Sequence, residues 1–166
     1  EEVKDGMDIA LCSLEFTRQN GFVGLGNGLE VASCEFKYAG ANNPLWIIRN
    51  CNSEPVEGRT TENIFRLAQH DNKYELVEIT ANKQPIGKFD NPEPYTTHTF
   101  ELQKGDSIYI FSDGYADQFG GEKGKKFKAK AFKNLLLNIQ EKSMEEQRIL
   151  IDETFENWKG NIDQVD

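Results

Sequence analysis

The chain has 166 residues and a formal net charge of −9, with 37% hydrophobic and 28% charged residues. This length fits one domain and this hydrophobic content can support a core, so a disordered chain is excluded. The acidic excess argues against nucleic-acid binding, because phosphate contacts need clustered Lys and Arg. There is no apolar run of the ~18 residues that a membrane helix needs, and the charged first residues do not resemble a signal peptide. The spacing of the three cysteines matches no zinc or redox motif. We therefore expect a soluble, cytoplasmic segment without direct membrane contact.

The first half of the chain reads as strands joined by turns. Residues 7–16 predict a buried strand, and the glycine-rich residues 17–28 predict a loop rather than a phosphate-binding P-loop, because no lysine follows the glycines. Residues 29–38 alternate apolar and polar side chains, and "AGANNP" predicts a turn into a return strand at 45–50, so the two strands are expected to form a hairpin. Residues 51–72 are predicted to be a surface insertion with a possible short helix near "ENIFRLAQ".

The second half of the chain changes from strands to helices. Alternation predicts strands at 73–79, 96–102 and 107–111, with a tight turn at "QKGD". The spacing of Phe132, Leu135, Leu136 and Ile139 predicts a helix with one apolar face. Ser143 and Glu146 form a capping-box pattern at the start of a second helix, which Gly160 ends. Strands followed by helices indicate an α+β domain, with the helices packed on a sheet or a pair of sheets.

The stretch "SIYIFSDGYADQFGG" contains the clearest candidate for chemistry. Asp113 follows a hydrophobic strand, which would hold its carboxylate rigidly, and Gly114 leaves room for an ion or substrate to approach. Carboxylates are natural ligands of Mg²⁺ and Mn²⁺. A plain Asp-Gly turn remains an alternative at this point. Asp166, at the end of "NIDQVD", is a second candidate ligand, with a frayed terminus as its alternative.

Four sequence motifs together resemble those of a known protein family. "AGANNPLWIIR", "ANKQPIGKFD", "LQKGDSIYIFSDGYADQFGG" and "NIDQVD" occur in this order and resemble the SpoIIE-like branch of the metal-dependent, PPM-type serine/threonine protein phosphatases. The resemblance implies an antiparallel β-sandwich flanked by helices, with two Mn²⁺ or Mg²⁺ ions between the sheets. In such enzymes a metal-held water attacks the phosphorus of phosphoserine or phosphothreonine, so no catalytic side-chain nucleophile is expected. It also implies bacterial signal transduction, with a phosphorylated regulatory protein of the anti-sigma-factor-antagonist type as substrate and a sensor domain upstream.

The resemblance transfers residue by residue only in part. It implies that Asp113 and Asp166 are metal ligands and that the backbone of Gly114 lies beside the metal. The family's Asp followed by Gly-His-Gly does not occur in this sequence. Residues 1–166 are therefore expected to be the C-terminal portion of one catalytic domain, truncated at both ends, with little or no activity by itself.

Several features keep two readings open. Lys125 and Lys126, within a basic run, are possible contacts to a phosphorylated substrate or part of a solvated loop. His98 is expected to be an ordinary surface or edge histidine, and Asp117 to cap a turn. At the level of function, the alternatives are a non-catalytic partner-binding module with a degenerate phosphatase fold, or another two-metal hydrolase.

Overall fold

The computed structural model describes residues 6–18, 31–51, 64–68 and 73–164. The strands are β1 (Gly6–Met7), β2 (Ile9–Arg18), β3 (Val31–Ala41), β4 (Leu45–Asn50), β5 (Ile64–Ala68), β6 (Tyr74–Ile79), β7 (Ile86–Gly87), β8 (His98–Leu102), β9 (Ser107–Ile110), β10 (Phe119–Gly120) and β11 (Lys125–Lys126). The helices are α1 (Gly114–Asp117), α2 (Ala129–Asn138) and α3 (Met144–Lys159).

Two antiparallel sheets enclose one core between them. The first has the strand order β2-β3-β8 and the second the order β5-β6-β4-β9. Phe36 and Tyr38 from the first sheet pack with Leu45, Ile47 and Ile79 from the second. The predicted α+β class, an antiparallel β-sandwich flanked by helices, is confirmed.

The second sheet carries helices on its other face. Successive side chains of a strand point to opposite faces, so Trp46 and Ile48 of β4 point away from the core between the sheets. They are buried in a second cluster with Phe132 and Leu136 of α2. The order of the layers is therefore first sheet, second sheet, helices. None of the described helices is long and apolar enough to cross a membrane.

The predicted hairpin between residues 29–38 and 45–50 is wrong. β3 pairs with β2 and β8, whereas β4 pairs with β6 and β9 in the other sheet. The turn between them carries the chain across the sandwich. It is closed by the Tyr38 hydroxyl, which donates to the carbonyl of Asn43 at 2.5 Å. A Cβ at Gly40 would lie 2.0 Å from that hydroxyl, so glycine is required there.

Two further predictions in the first half need correction. Residues 64–68 form strand β5 along β6 and not a helix, because a short apolar run fits either structure and the free edge of β6 supplies hydrogen bonds. Residues 7–16 are not a buried strand: β2 is an edge strand, and Leu11 and Phe16 are 65% and 62% exposed. The described part of the chain leaves out residues 19–28 of the predicted loop, 29–30 of the predicted strand, and 52–63 and 69–72 of the predicted insertion.

The helices follow the sequence closely. The amide of Glu146 donates to Ser143 Oγ at 3.3 Å, and the amide of Ser143 donates to the Glu146 carboxylate at 2.9 Å, which confirms the capping box. Gly160 ends α3 with a φ of +57°. The apolar face of α2 differs by one residue from the prediction, since Leu137 is buried and Leu135 only half-buried.

Candidate functional site

Asp113 lies where the second sheet ends. β9 is held against β4 through the pair of Leu45 and Ile110, and after two further residues Asp113 becomes the N-cap of α1. The carbonyl of Asp113 accepts from the Asp117 amide at 2.9 Å. Its carboxylate makes no capping hydrogen bond and is exposed. The backbone of Asp113 is therefore fixed, while its carboxylate is available to a ligand.

A cleft of about 650 Å³ begins beside this acid. Ser112 and Gly114, its neighbours in sequence, line one wall, and Ile151 and Phe155 of α3 line another. Gln164, which follows α3, also lines the cleft. The chain after α3 thus returns to the strand end that carries Asp113. Asp166 itself, two positions further on, lies outside the described residues.

Gln118, at the C-terminal end of α1, is a buried residue that no sequence pattern identified. Gln118 is 0% exposed. Its side-chain Nε2 donates to the carbonyl of Asp163 at 3.1 Å and to that of Phe119 at 3.0 Å. The main-chain carbonyl of Gln118 accepts a hydrogen bond from Trp158 Nε1 at 3.1 Å. One residue therefore joins α1, the end of α3 and the segment that follows α3.

The glycine pair of "DQFGG" explains how the end of α3 can lie so close to the segment that follows α1. A Cβ at Gly120 would lie 1.9 Å from the carbonyl oxygen of Trp158, so only glycine fits. The amide of Gly121 donates to the same carbonyl at 2.8 Å. The glycines were visible in the sequence as a pair after an apolar residue, but their partner is almost 40 positions away. No local pattern identifies such a contact.

The two lysines of the basic run differ in their surroundings. Lys126 Nζ lies 2.6 Å from a carboxylate oxygen of Asp117, at the last residue of α1. Asp117 is therefore an ion-pair partner rather than a turn cap. Both side chains are almost half exposed, and such surface pairs contribute little to stability, so Lys126 can exchange partners. Lys125 is exposed in β11, where it pairs with Gly120.

The hydroxyl groups of the two tyrosines in the wall of the cleft donate hydrogen bonds to α3 and stabilise its packing. The Tyr115 hydroxyl donates to the carbonyl of Ile151 at 2.8 Å, and burial, with a smaller contribution from Asp152, raises its pKa to about 12. The Tyr109 hydroxyl donates to Gln147 Oε1 at 2.7 Å, and burial raises its pKa as well. Both stay protonated at neutral pH and bind β9 and α1 to α3.

The carboxylate at this strand end has the chemistry of a ligand for a divalent cation. The carboxylate of Asp113 is exposed and without a hydrogen-bond partner among the described residues, as a hard-cation ligand should be. In the described part of the chain there is no group of three acidic, histidine or cysteine side chains that could hold a metal. Asp113 therefore fits one ligand position, and the described residues do not supply the others.

Comparison with known proteins agrees with this description. The family model described as "Stage II sporulation protein E (SpoIIE)" matches residues 62–164. Among solved structures, the SiaA-PP2C domain of Pseudomonas aeruginosa is similar, with a TM-score of 0.57 and 22% sequence identity over 80% of this chain. The match covers 42% of that domain's chain, so the present chain spans less than half of it. None of the curated proteins matches this chain.

Proposed function

The chain belongs to the SpoIIE family, and on that premise we propose that it is part of a metal-dependent phosphatase acting on phosphoserine or phosphothreonine in a bacterial signalling protein. The family match confirms the resemblance that the four motifs predicted. We take residues 1–166 to be the C-terminal portion of one catalytic domain. The observation that supports this most is the cleft where the segment after α3 returns to the strand end of Asp113.

The proposed site uses few residues of this chain. Asp113 and Asp166 act as metal ligands, and the backbone of Gly114 lets the ion approach. Bound Mn²⁺ or Mg²⁺ would make a nucleophile from water at neutral pH and offset charge that develops on the phosphoryl oxygens. The exposed carboxylate of Asp113 supports this role. In the complete domain the remaining ligands come from elsewhere, because one or two carboxylates hold Mg²⁺ only weakly.

The proposed substrate is a phosphorylated regulatory protein of the anti-sigma-factor-antagonist type, with a sensor domain upstream in the parent chain. Lys126 pairs with Asp117, one helical turn after Asp113, so one cationic side chain lies about one helical turn from the proposed metal ligand. Lys125 and Lys126 can meet phosphate oxygens with charge-assisted hydrogen bonds. Their exposure favours such contacts with an incoming protein.

Asp113→Asn in the complete parent chain tests the metal role. We expect Mn²⁺ affinity, measured by calorimetry, and turnover of a phosphoserine peptide at limiting Mn²⁺ each to fall by about 100-fold or more. Even outer-shell partners of a metal ligand are worth about 10–100-fold. Asp90→Asn, a change of the same type at an exposed position of the connecting loop, is the matched control and should leave both values unchanged.

Each alternative function predicts a different result of this experiment. Equal loss in Asp90→Asn, or full Mn²⁺ affinity in Asp113→Asn, would contradict the metal role. Turnover of a nucleotide in preference to the phosphopeptide would favour another two-metal hydrolase. Partner binding that is independent of Mn²⁺, without turnover, would favour a non-catalytic binding module.

A further inference from the structure

We propose that Tyr115 is a positioning residue that fixes the direction of the Asp113 carboxylate by holding the single turn of α1 against α2 and α3. This inference rests on the proposed function, because it concerns the affinity of Asp113 for its metal ion. Tyr115 would touch neither metal nor substrate. It acts through the backbone that joins it to the acid.

The turn of α1 needs support from outside itself. A helix of four residues is too short to be stable alone, because forming the first turn costs more entropy than its few hydrogen bonds offset. Asp113 makes no side-chain cap, and Gly114 adds a flexible backbone position. Hydrogen bonds from the amides of Asp117 and Gln118 to the carbonyls four residues earlier, at 2.9 and 3.0 Å, close the turn. Its direction therefore depends on what its side chains contact.

Tyr115 supplies that support through both its hydroxyl and its ring. The hydroxyl donates to the carbonyl of Ile151 in α3 at 2.8 Å. The ring stacks on Phe132 of α2, with a centroid distance of 4.2 Å and an angle of 19° between the planes. It also contacts Phe155 of α3 and Phe127, at centroid distances of 5.1 and 5.3 Å. Such aromatic pairs are stabilising beyond the area that they bury, so α1 cannot turn away from the other two helices without losing them.

These contacts fix the acid from its second side. Before Asp113, β9 is held to β4 as far as the pair of Leu45 and Ile110. After it, Tyr115 is only two residues away, within the same turn. A metal ligand binds well only when its position is held to within about 0.5 Å. Ordering the turn when the metal binds would cost conformational entropy, and the contacts of Tyr115 provide that order beforehand.

Tyr115→Leu in the complete parent chain removes the hydroxyl and the ring while the side chain stays apolar. We expect hydrogen exchange of the Asp117 and Gln118 amides to become at least about tenfold faster, through local opening of α1. Mn²⁺ affinity, measured by calorimetry, should fall about tenfold, as for loss of an outer-shell partner. At saturating Mn²⁺ the turnover number should stay near that of the wild type, because the ligand itself remains.

Tyr109→Leu is the matched control. Tyr109 packs against the same hydrophobic cluster beneath the helices as Tyr115, and its hydroxyl also bonds to α3, at Gln147. It lies in β9, which the sheet holds through the pairing of Tyr109 with Trp46. The control should therefore lose comparable stability in urea, while Mn²⁺ affinity and exchange of the two α1 amides stay unchanged.

Tyr115→Phe separates the hydroxyl from the ring, and it replaces Tyr115→Leu if that variant does not fold. It keeps the aromatic contacts and loses one hydrogen bond, which shifts an equilibrium by roughly fivefold. We expect Mn²⁺ affinity to fall by about threefold, between the values of the wild type and Tyr115→Leu.

Unchanged Mn²⁺ affinity in the folded Tyr115 variants would overturn the proposal, even if exchange became faster. An equal loss of affinity in Tyr109→Leu would also overturn it, because affinity would then follow overall stability. Failure of the proposed function has a separate signature, namely that the wild-type chain binds no Mn²⁺ or that Asp113→Asn binds it fully. Either result would remove the positioning role too, while the exchange data would still report whether Tyr115 holds α1.

Discussion

The sequence suggested an ordinary surface or edge histidine at position 98, and His98 does lie on the edge strand β8, but its side chain is buried inside the sandwich. Its side chain is 4% exposed and stacks between the rings of Tyr38 and Phe100, with centroid distances of 6.0 and 6.3 Å. Its Nδ1 has no hydrogen-bond partner among the described residues. Burial lowers the pKa of His98, so the folded chain resists protonation that the unfolded chain accepts. A buried edge-strand histidine looks the same in sequence as an exposed one.

This shift predicts how stability depends on pH. The folded-state pKa lies below the unfolded value of about 6.5, so the free energy of unfolding is full above that pH and decreases as the pH falls through it. Urea unfolding at pH 8, 7, 6 and 5 should show the decrease in the wild type. His98→Phe, which keeps the stacking, should show a smaller decrease. Parallel profiles of the two proteins would contradict the assignment.

Arg49 and Asp106 form a bidentate ion pair with a buried carboxylate. Arg49 Nε and Nη2 contact the carboxylate at 2.9 and 2.6 Å, and the Asp106 side chain is only 3% exposed. The same carboxylate accepts from the amide of Gln103, at the turn between β8 and β9. The pair therefore ties β4 to the place where the chain crosses from one sheet to the other.

Removing one partner should leave a buried group unpaired. Asp106→Asn is expected to lower the free energy of unfolding by about 2 kcal/mol, less than for a fully buried pair because Arg49 is partly exposed. Arg49→Lys should also destabilise, since lysine cannot bond in a bidentate way. Arg148→Ala, at an exposed pair with Glu145, is the control and should leave stability unchanged. Urea denaturation measures all three, and equal effects would refute the distinction.

At the scale of elements, periodicity predicts the kind of element better than its partner. The alternation in β3 and the cap of α3 depend on neighbouring residues, and both kinds of element were predicted from them. One pairing partner of β3 is β8, which lies some sixty residues further along the chain. No local sequence rule can identify such a distant partner. Asp113 could be found because strand, acid and glycine are adjacent in sequence. Gln118 could not, since Trp158 and Asp163, which it joins to α1, are 40 and 45 residues away.

The start of α2 contains a strained residue. Lys128 has φ +74° and ψ 143°, a backbone conformation that residues other than glycine rarely adopt. Its amide donates to the Ala116 carbonyl at 2.7 Å, and its carbonyl accepts from the amides of Ala131 and Phe132. These bonds hold the strained backbone in place between α1 and α2.

Lys128→Gly should therefore stabilise the protein. Relief of strain outweighs the greater flexibility of glycine in the unfolded chain, for a net gain of about 1 kcal/mol. The melting temperature should rise by about 2–4 °C for a chain of this size. Lys130→Gly, the same change inside α2, should instead lower stability by about 1 kcal/mol. A lower melting temperature in Lys128→Gly would show that the strain is absent.

At the scale of the molecule, the two hydrophobic clusters lie on opposite faces of the second sheet, and strands β4 and β6 contribute buried residues to both. Ile47 of β4 is buried between the sheets and Ile48 beneath the helices. If β4 separated from one cluster, the apolar side chains of the other cluster would be exposed as well. The layers are thus coupled through the second sheet, so we expect them to unfold together although they form two cores.

Leu136→Ala, in the helix-side cluster, tests this coupling. Leu136 is fully buried, so its truncation should cost about 3 kcal/mol from lost burial and the cavity left behind. If unfolding is cooperative, exchange of the β3 amides in the far sheet should accelerate by the same free energy, because they then exchange only through global opening. Tryptophan fluorescence and far-UV circular dichroism should give coincident urea transitions. Unchanged protection in β3 would mean that the sheets persist without the helices, and that the second sheet does not couple the two clusters.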